Sequence, residues 1–120
     1  MFITNNKLMV NYSDIKFDGV GVYKLGRTIP VKFRLTDVSD NFISTAIAKL
    51  YITKIQNGIV GNDEIPFSSS NADNNNQFRY DNTDNQYIYN LDTNLMSQGF
   101  WQLKIILDDN ISYSVSILIK

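Results

Sequence analysis

The sequence predicts an all-β domain, a sandwich or a small barrel. Apolar and polar residues alternate in several separate stretches. The clearest is 28–36, where Val31, Phe33 and Leu35 fall on one side of a strand and Lys32, Arg34 and Thr36 on the other. Turn-forming residues punctuate the chain roughly every 8–12 residues, the spacing of an all-β fold. No stretch keeps a helical period; the best case, 44–50, is short and is followed by β-branched residues.

At 120 residues the chain is one domain, long enough to bury a single core without staples. Its formal net charge of −1 gives no field that would attract nucleic acid. It contains no cysteine, which excludes disulfides and thiolate metal sites, and no histidine, which removes the commonest zinc ligand and the side chain best suited to proton transfer near neutral pH. The first ten residues lack the charged start and long apolar core of a secretory signal. No apolar run approaches the length of a membrane span, so no membrane insertion is expected.

The elements follow in order. Residues 1–14 read as a linker or a first strand, with Leu8, Val10 and Tyr12 alternating; residues 15–120 form the sandwich module. Asp18, Gly19 and Gly21 punctuate the chain, and Gly26-Arg27 turns it into the strand at 28–36. Pro30 has no N–H to give a ladder and belongs at the start of that strand or along an edge. Ala46, Ala48, Leu50 and Ile52 alternate through a long strand that ends at Asn57-Gly58, a hairpin signal with 59–65 as the return arm. Residues 66–76 are a Ser/Asn-rich loop, ordered only by local hydrogen bonds. Residues 77–80 and 86–92 face each other across a polar turn. Trp101, Leu103, Ile105 and Leu107 mark the penultimate strand, and Ile111, Tyr113, Val115, Ile117 and Ile119 the last. The inward set places Phe33, Leu50, Ile52, Tyr89, Trp101, Leu103 and Val115 in the core.

Three ordered blocks carry a resemblance. Tyr23-Lys24-Leu25-Gly26-Arg27-Thr28-Ile29-Pro30-Val31-Lys32-Phe33-Arg34-Leu35-Thr36-Asp37 is similar to the PxKF family of immunoglobulin-like modules, whose pattern is matched by Pro30-Val31-Lys32-Phe33. Gln77-Phe78-Arg79-Tyr80-Asp81 with Asn85-Gln86-Tyr87-Ile88-Tyr89-Asn90-Leu91-Asp92-Thr93 resembles the family's central hairpin, and Gly99-Phe100-Trp101-Gln102-Leu103-Lys104-Ile105 its penultimate strand. Between Gly19 and Tyr23 the chain is shorter than the usual member. The resemblance implies an immunoglobulin-like β-sandwich of two antiparallel sheets with about 7–8 strands. It also implies a non-catalytic accessory or spacer module of a bacterial cell-surface or secreted protein, whose partners are neighbouring domains of a larger polypeptide. It supplies no catalytic residues and no cofactor.

Several side chains compete with that reading. Asp63 with Glu64, Asp108 with Asp109, and Asp81, Asp84 and Asp92 are acid groupings of the type that would serve a small enzyme domain, but they sit where Asp favours turns by bonding its own backbone. Asp81, Thr83, Asn85 and Asp92 fall at positions 1, 3, 5 and 12 of a calcium-loop spacing, with Gln86 where that loop requires glycine. Calcium candidates in turns are Asp37, Asp40, Asp81, Asp84, Asp108 and Asp109. Lys32 and Arg34 share a strand face suited to an acidic glycan, though such a face also discourages edge pairing. Tyr51, with Ile47, lies on the outer face of its strand and either stacks on a sugar or partner protein or fills a secondary core. Lys32, Arg34 and Tyr51 are therefore the candidate ligand face of a carbohydrate- or protein-binding adhesion module, the alternative to a spacer. Asn11-Tyr12-Ser13 and Asn110-Ile111-Ser112 match the glycosylation pattern, as chance allows in an asparagine-rich chain.

Overall fold

The computed structural model describes residues 8–12 (backbone), 21–37, 39, 41–70, 75–108, 110 and 112–120. Among these residues there is no helix, and ten strands form two sheets. The strands are β1 (Leu8–Tyr12), β2 (Gly21–Tyr23), β3 (Thr28–Asp37), β4 (Ala48–Gln56), β5 (Ile59–Val60), β6 (Phe67–Ser68), β7 (Arg79–Asp81), β8 (Gln86–Asp92), β9 (Gly99–Leu107) and β10 (Ser112–Ile119). The first sheet runs β1-β3-β8-β6, with β7 also on β8, and the second runs β2-β10-β9-β4-β5. In immunoglobulin letters these are A-B-E-D and G-F-C-C′, with β2 added beside G. The fold is an immunoglobulin-like sandwich.

The long strands form because their alternation has a core to face. In β3, Ile29, Val31, Phe33 and Leu35 are buried, and Leu50 and Ile52 of β4 and Trp101, Leu103, Ile105 and Leu107 of β9 meet them from the other sheet. Phe33 is the hub of an aromatic group. Its ring stacks on Tyr87 at 4.8 Å and takes Phe78 edge-on at 5.1 Å, while Tyr80 meets Tyr87 edge-on at 4.9 Å. The Asn57-Gly58 hairpin forms as expected, with both residues in the left-handed region (φ 52° and 76°) that this tight turn needs.

Four features differ from the sequence expectation. Ten strands form where about 7–8 were expected; β6 falls in the stretch read as a loop, because two residues are too few to show alternation. β2 pairs with β10 in parallel, Gly21 opposite Ile117 and Tyr23 opposite Ile119. The return arm after Asn57-Gly58 is brief. β4's outer edge is covered instead by three pieces: β5, Glu64 paired with Ile52, and Gln77 paired with Lys49. Patching an exposed edge with short segments leaves no long strand open to a second chain. Val115, expected in the core, is only half-buried, while Tyr113, Ile117 and Ile119 of the same strand are buried.

In the stretch read as a loop, the described residues 66–70, 75 and 76 are not held by local bonds alone. Pro66 is buried, β6 pairs with Leu91 and Asp92, and the Tyr89 hydroxyl donates to the Asn75 carbonyl at 2.8 Å. Asn76 is buried too, its side-chain amide donating to the Leu50 carbonyl at 3.0 Å. Pro30 sits at the third position of β3, outside the stretch from Phe33 to Asp37 that pairs with β1.

The strand ends define two poles. β1 begins opposite Asp37, at the end of β3, and the β7–β8 turn lies at the same pole. The long β3–β4 connection is tied there by Tyr87, whose hydroxyl donates to the Ile43 carbonyl (2.7 Å) and accepts from the Ala46 N–H (3.1 Å). β10 ends at the other pole, where Lys120 exchanges backbone hydrogen bonds with Tyr23 and Leu25. There the buried Thr93 hydroxyl donates to the Arg27 carbonyl (2.7 Å) and accepts from the Gly26 N–H (2.9 Å). The described chain thus enters at one pole and leaves at the opposite one.

Candidate functional site

The sandwich has two outer faces, and the candidate ligand residues divide between them. Lys32 and Arg34 point outward from β3 in the first sheet, whereas Tyr51 points outward from β4 in the second. The three do not form one site. Strand register adds a residue to the basic face: Lys32 is opposite Ile88, which is opposite Arg79 on β7. Directly paired residues share a face, so Lys32, Ile88 and Arg79 form a cation–apolar–cation row, with Arg34 beside it. The Arg34 guanidinium also reaches the Asp84 carbonyl at 3.4 Å, across to the β7–β8 turn. Lys24 and Arg27, neighbours in sequence, lie in the turn before β3 rather than on this face.

Tyr51 lines a shallow groove of about 270 Å³ at the entry pole of the second sheet. Ile47 and Ile106 supply apolar walls, and Lys49, Asp108 and Asn110 bring a cation, a carboxylate and an amide. The volume is small beside the ~300–1,000 Å³ of sites for drug-sized ligands. It suits one ring. Tyr51 is half-buried in this groove, between the exposed and secondary-core alternatives. Lys49 and Ile106 are direct cross-strand partners, a proximity that spacing along the chain does not reveal.

The described calcium candidates lie at the entry pole: Asp37 at the end of β3, Asp81 and Asp84 at the β7–β8 turn, and Asp108 just after β9. Asp37 accepts from the backbone N–H groups of Ser39 (2.9 Å) and Asn41 (3.0 Å), and the bond from Asn41 holds its carboxyl below the usual range. Asp81 accepts from the Thr83 N–H at 3.0 Å, and Asp92 does the same for Asn94 at 2.9 Å near the exit pole. These carboxylates cap their own loops. Asp84 lends its carbonyl to Arg34, and Asp108 lines the Tyr51 groove. Asp40 and Asp109 lie outside the described residues, as does Ser13 of the first glycosylation triplet. Among the described residues no three acidic groups come together as a metal-holding set.

Two polar features escaped the alternation pattern. Thr53 lies on the outer side of β4 yet is fully buried, because Asp63 folds over it: the Thr53 hydroxyl donates to Asp63 at 2.8 Å, and Lys104 of β9 contacts the other carboxylate oxygen at 2.7 Å. The bond from Lys104 lowers the Asp63 pKa, helped by the one from Thr53. Lys54 lies on the inner side, its ammonium 5.1 Å from the centre of the Trp101 ring. It donates to Ser97 and to the Gln98 carbonyl, while the Trp101 indole donates to the Ser97 carbonyl at 2.8 Å, so both wrap the β8–β9 turn. A lone lysine in a strand gives no sequence signal of such a contact.

Among the described residues no helix is long and apolar enough to cross a membrane. Comparison of the chain with protein-family models and with curated proteins finds no match in either.

Proposed function

We propose that the chain is a non-catalytic, immunoglobulin-like spacer or accessory module of a bacterial cell-surface or secreted protein, working between neighbouring domains of a larger polypeptide. The carrying observation is the placement of the strand ends: β1 starts at one pole beside Asp37, and β10 finishes at the other beside Leu25. Modules linked through opposite poles stack end to end. Tension applied at those ends runs lengthwise along β1 and β10, so the ladder bonds to β3, β9 and β2 are loaded together rather than one at a time. The commitment of Asp37, Asp63, Asp81 and Asp92 to caps and ties supports a structural role for the acids over a catalytic one. The PxKF resemblance supports the bacterial surface setting. The chain's slightly negative charge disfavours nucleic acid as a partner.

Single-molecule pulling of the chain between folded handle domains tests this. One cooperative unfolding event at a force well above that of the same chain pulled across β4 and β9 is the expected result. Extension without a discrete event would overturn the spacer reading.

A second reading, a glycan-binding module, is favoured by the Tyr51 groove, where an aromatic side chain lies among Lys49, Asp108 and Asn110. Titration of isotope-labelled protein with neutral monosaccharides should then give saturable amide shifts at Lys49, Tyr51 and Asn110. Shifts that stay linear or scatter over the molecule would remove it.

A further inference from the structure

Strand register assembles an apolar row on the outer face of the second sheet. Val22 on β2 is opposite Leu118 on β10, Leu118 is opposite Phe100 on β9, Phe100 is opposite Ile55 on β4, and Ile55 is opposite Val60 on β5. Directly opposed residues point to the same side of a sheet, so the five side chains form one continuous line across all five strands. Burial agrees. Leu118 sits between buried Ile117 and Ile119, and Phe100 is followed by buried Trp101, so the row belongs to the face away from the core. Val22 is 53%, Phe100 46% and Val60 48% exposed, although each is a large apolar side chain. On the same face the next register row is Ser116, Gln102 and Thr53, the last buried beneath the Asp63 carboxylate, and the row beyond it is Ser114, Lys104 and Tyr51. An apolar line rimmed by polar residues is the composition of a protein contact.

The order within the row says what the contact is with. From edge to edge it reads Val22, Leu118, Phe100, Ile55, Val60, which is nearly the same from either end: valine, a four-carbon aliphatic, phenylalanine, a four-carbon aliphatic, valine. We propose that this row is a self-association surface, on which two copies of the chain pair face to face about a twofold axis parallel to β9 and passing by Phe100. That operation lays Val22 on the other copy's Val60, Leu118 on Ile55, and Phe100 on Phe100, the self-complementary arrangement an isologous interface requires. Lys104, also on β9 and close to the axis, does not oppose the pairing because Asp63 neutralises it at 2.7 Å.

The area suits a reversible dimer. Three long strands at ~4.8 Å spacing and nine residues at ~3.4 Å each give a face ~14 Å by ~30 Å, widening to ~24 Å at the row where β2 and β5 join. That is ~500 Å² per copy in projection, close to the ~600 Å² per partner at the lower bound of specific complexes. The aligned packing of sandwich sheets, crossing at ~30°, is available to the two outer faces as it is to the inner ones.

Sedimentation velocity of the whole chain over a concentration series tests the proposal. The weight-average mass should climb from that of one chain toward that of two between ~10 µM and ~1 mM, the range of a weak interface. Phe100→Glu should raise the dissociation constant at least ~30-fold, the loss expected at a central anchor. Because Phe100 faces outward, its melting temperature should stay near that of the parent; Val60→Lys at the end of the row is a second variant with the same expectation. The absence of cysteine allows a symmetry test. Sheets packed ~10 Å apart hold facing Cα atoms beyond disulfide reach, so a short bismaleimide is the bridge: Phe100→Cys should link to itself, and Val22→Cys mixed with Val60→Cys should form the mixed link faster than either forms its own. A mass that remains that of one chain throughout would overturn the proposal and leave the row to a different partner. So would association unaffected by either substitution, or self-links of Val22→Cys that outpace the mixed ones.

Discussion

Phe33 gives the sharpest test of the core. It is fully buried, stacked on Tyr87 at 4.8 Å and met by the edge of Phe78 at 5.1 Å. Phe33→Ala removes the ring and leaves a cavity between two sheets whose ladders resist collapse, which costs about 3–5 kcal/mol. For 120 residues the unfolding entropy near the midpoint is about 0.25 kcal/mol/K, so the melting temperature should fall by about 12–20 °C. Phe33→Leu keeps most of the volume and loses chiefly the ring contacts, a smaller loss of about 1–2 kcal/mol. Lys32→Ala, one residue away on the outer face, should stay within about 0.5 kcal/mol of the parent. Urea unfolding with a common m-value, alongside thermal melts, measures all three. A drop below about 5 °C for Phe33→Ala would refute the packing, because no fully buried phenylalanine with two ring partners is that cheap to lose.

Three further outcomes follow from the hydrogen-bonded ties. Tyr87→Phe strands the Ile43 carbonyl and the Ala46 N–H, so it should cost about 1–3 kcal/mol and speed amide exchange at Ala46; unchanged exchange there would show that the hydroxyl does not hold the loop. Gly26→Ala should cost about 1–2 kcal/mol from backbone strain alone, because φ is +92° while the nearest atom to a new Cβ, in Asn94, is a comfortable 3.5 Å away; a neutral effect in urea melts would contradict that conformation. The Asp63 carboxyl has a lowered pKa, so its contribution is present above the unfolded carboxylate range and is lost as pH falls through the folded value. With Asp63 39% exposed, Asp63→Asn should cost under about 1 kcal/mol near pH 7, and parent and variant should converge as pH falls through and below the unfolded carboxylate range; a gap that widens with acid would reverse the assignment.

Much of the sandwich is legible along the chain, because alternation is a property of a single strand facing a single core. Val31, Phe33, Leu35, Leu50, Ile52, Trp101 and Leu103 are all buried where their period puts them. The Asn57-Gly58 turn is equally local. The asparagine bias acquires a partial physical explanation: Asn57, Asn75, Asn85 and Asn110 all hold positive φ, a conformation that asparagine tolerates better than most side chains. The hairpin of β7 with β8 was legible too, whereas β6 and the shortness of β5 were not, because a two-residue strand depends on the long strand it lies against. Thr53 and Lys54 broke the pattern because Asp63 and Trp101, respectively 10 and 47 positions away, supplied partners that burial required.

The sequence by itself determined an all-β chain, the inward faces of its long strands and the absence of cysteine and histidine chemistry. These follow from side-chain type and a two-residue period. Only the tertiary structure decided which outer faces exist. Register between strands far apart in the chain separated Tyr51 from Lys32 and Arg34, added Arg79 to the basic face, and brought Val22, Leu118, Phe100, Ile55 and Val60 into one line. A strand's own sequence fixes which side each residue takes. Its neighbours are set only when two sheets close on a shared core, and surface chemistry belongs to the neighbours.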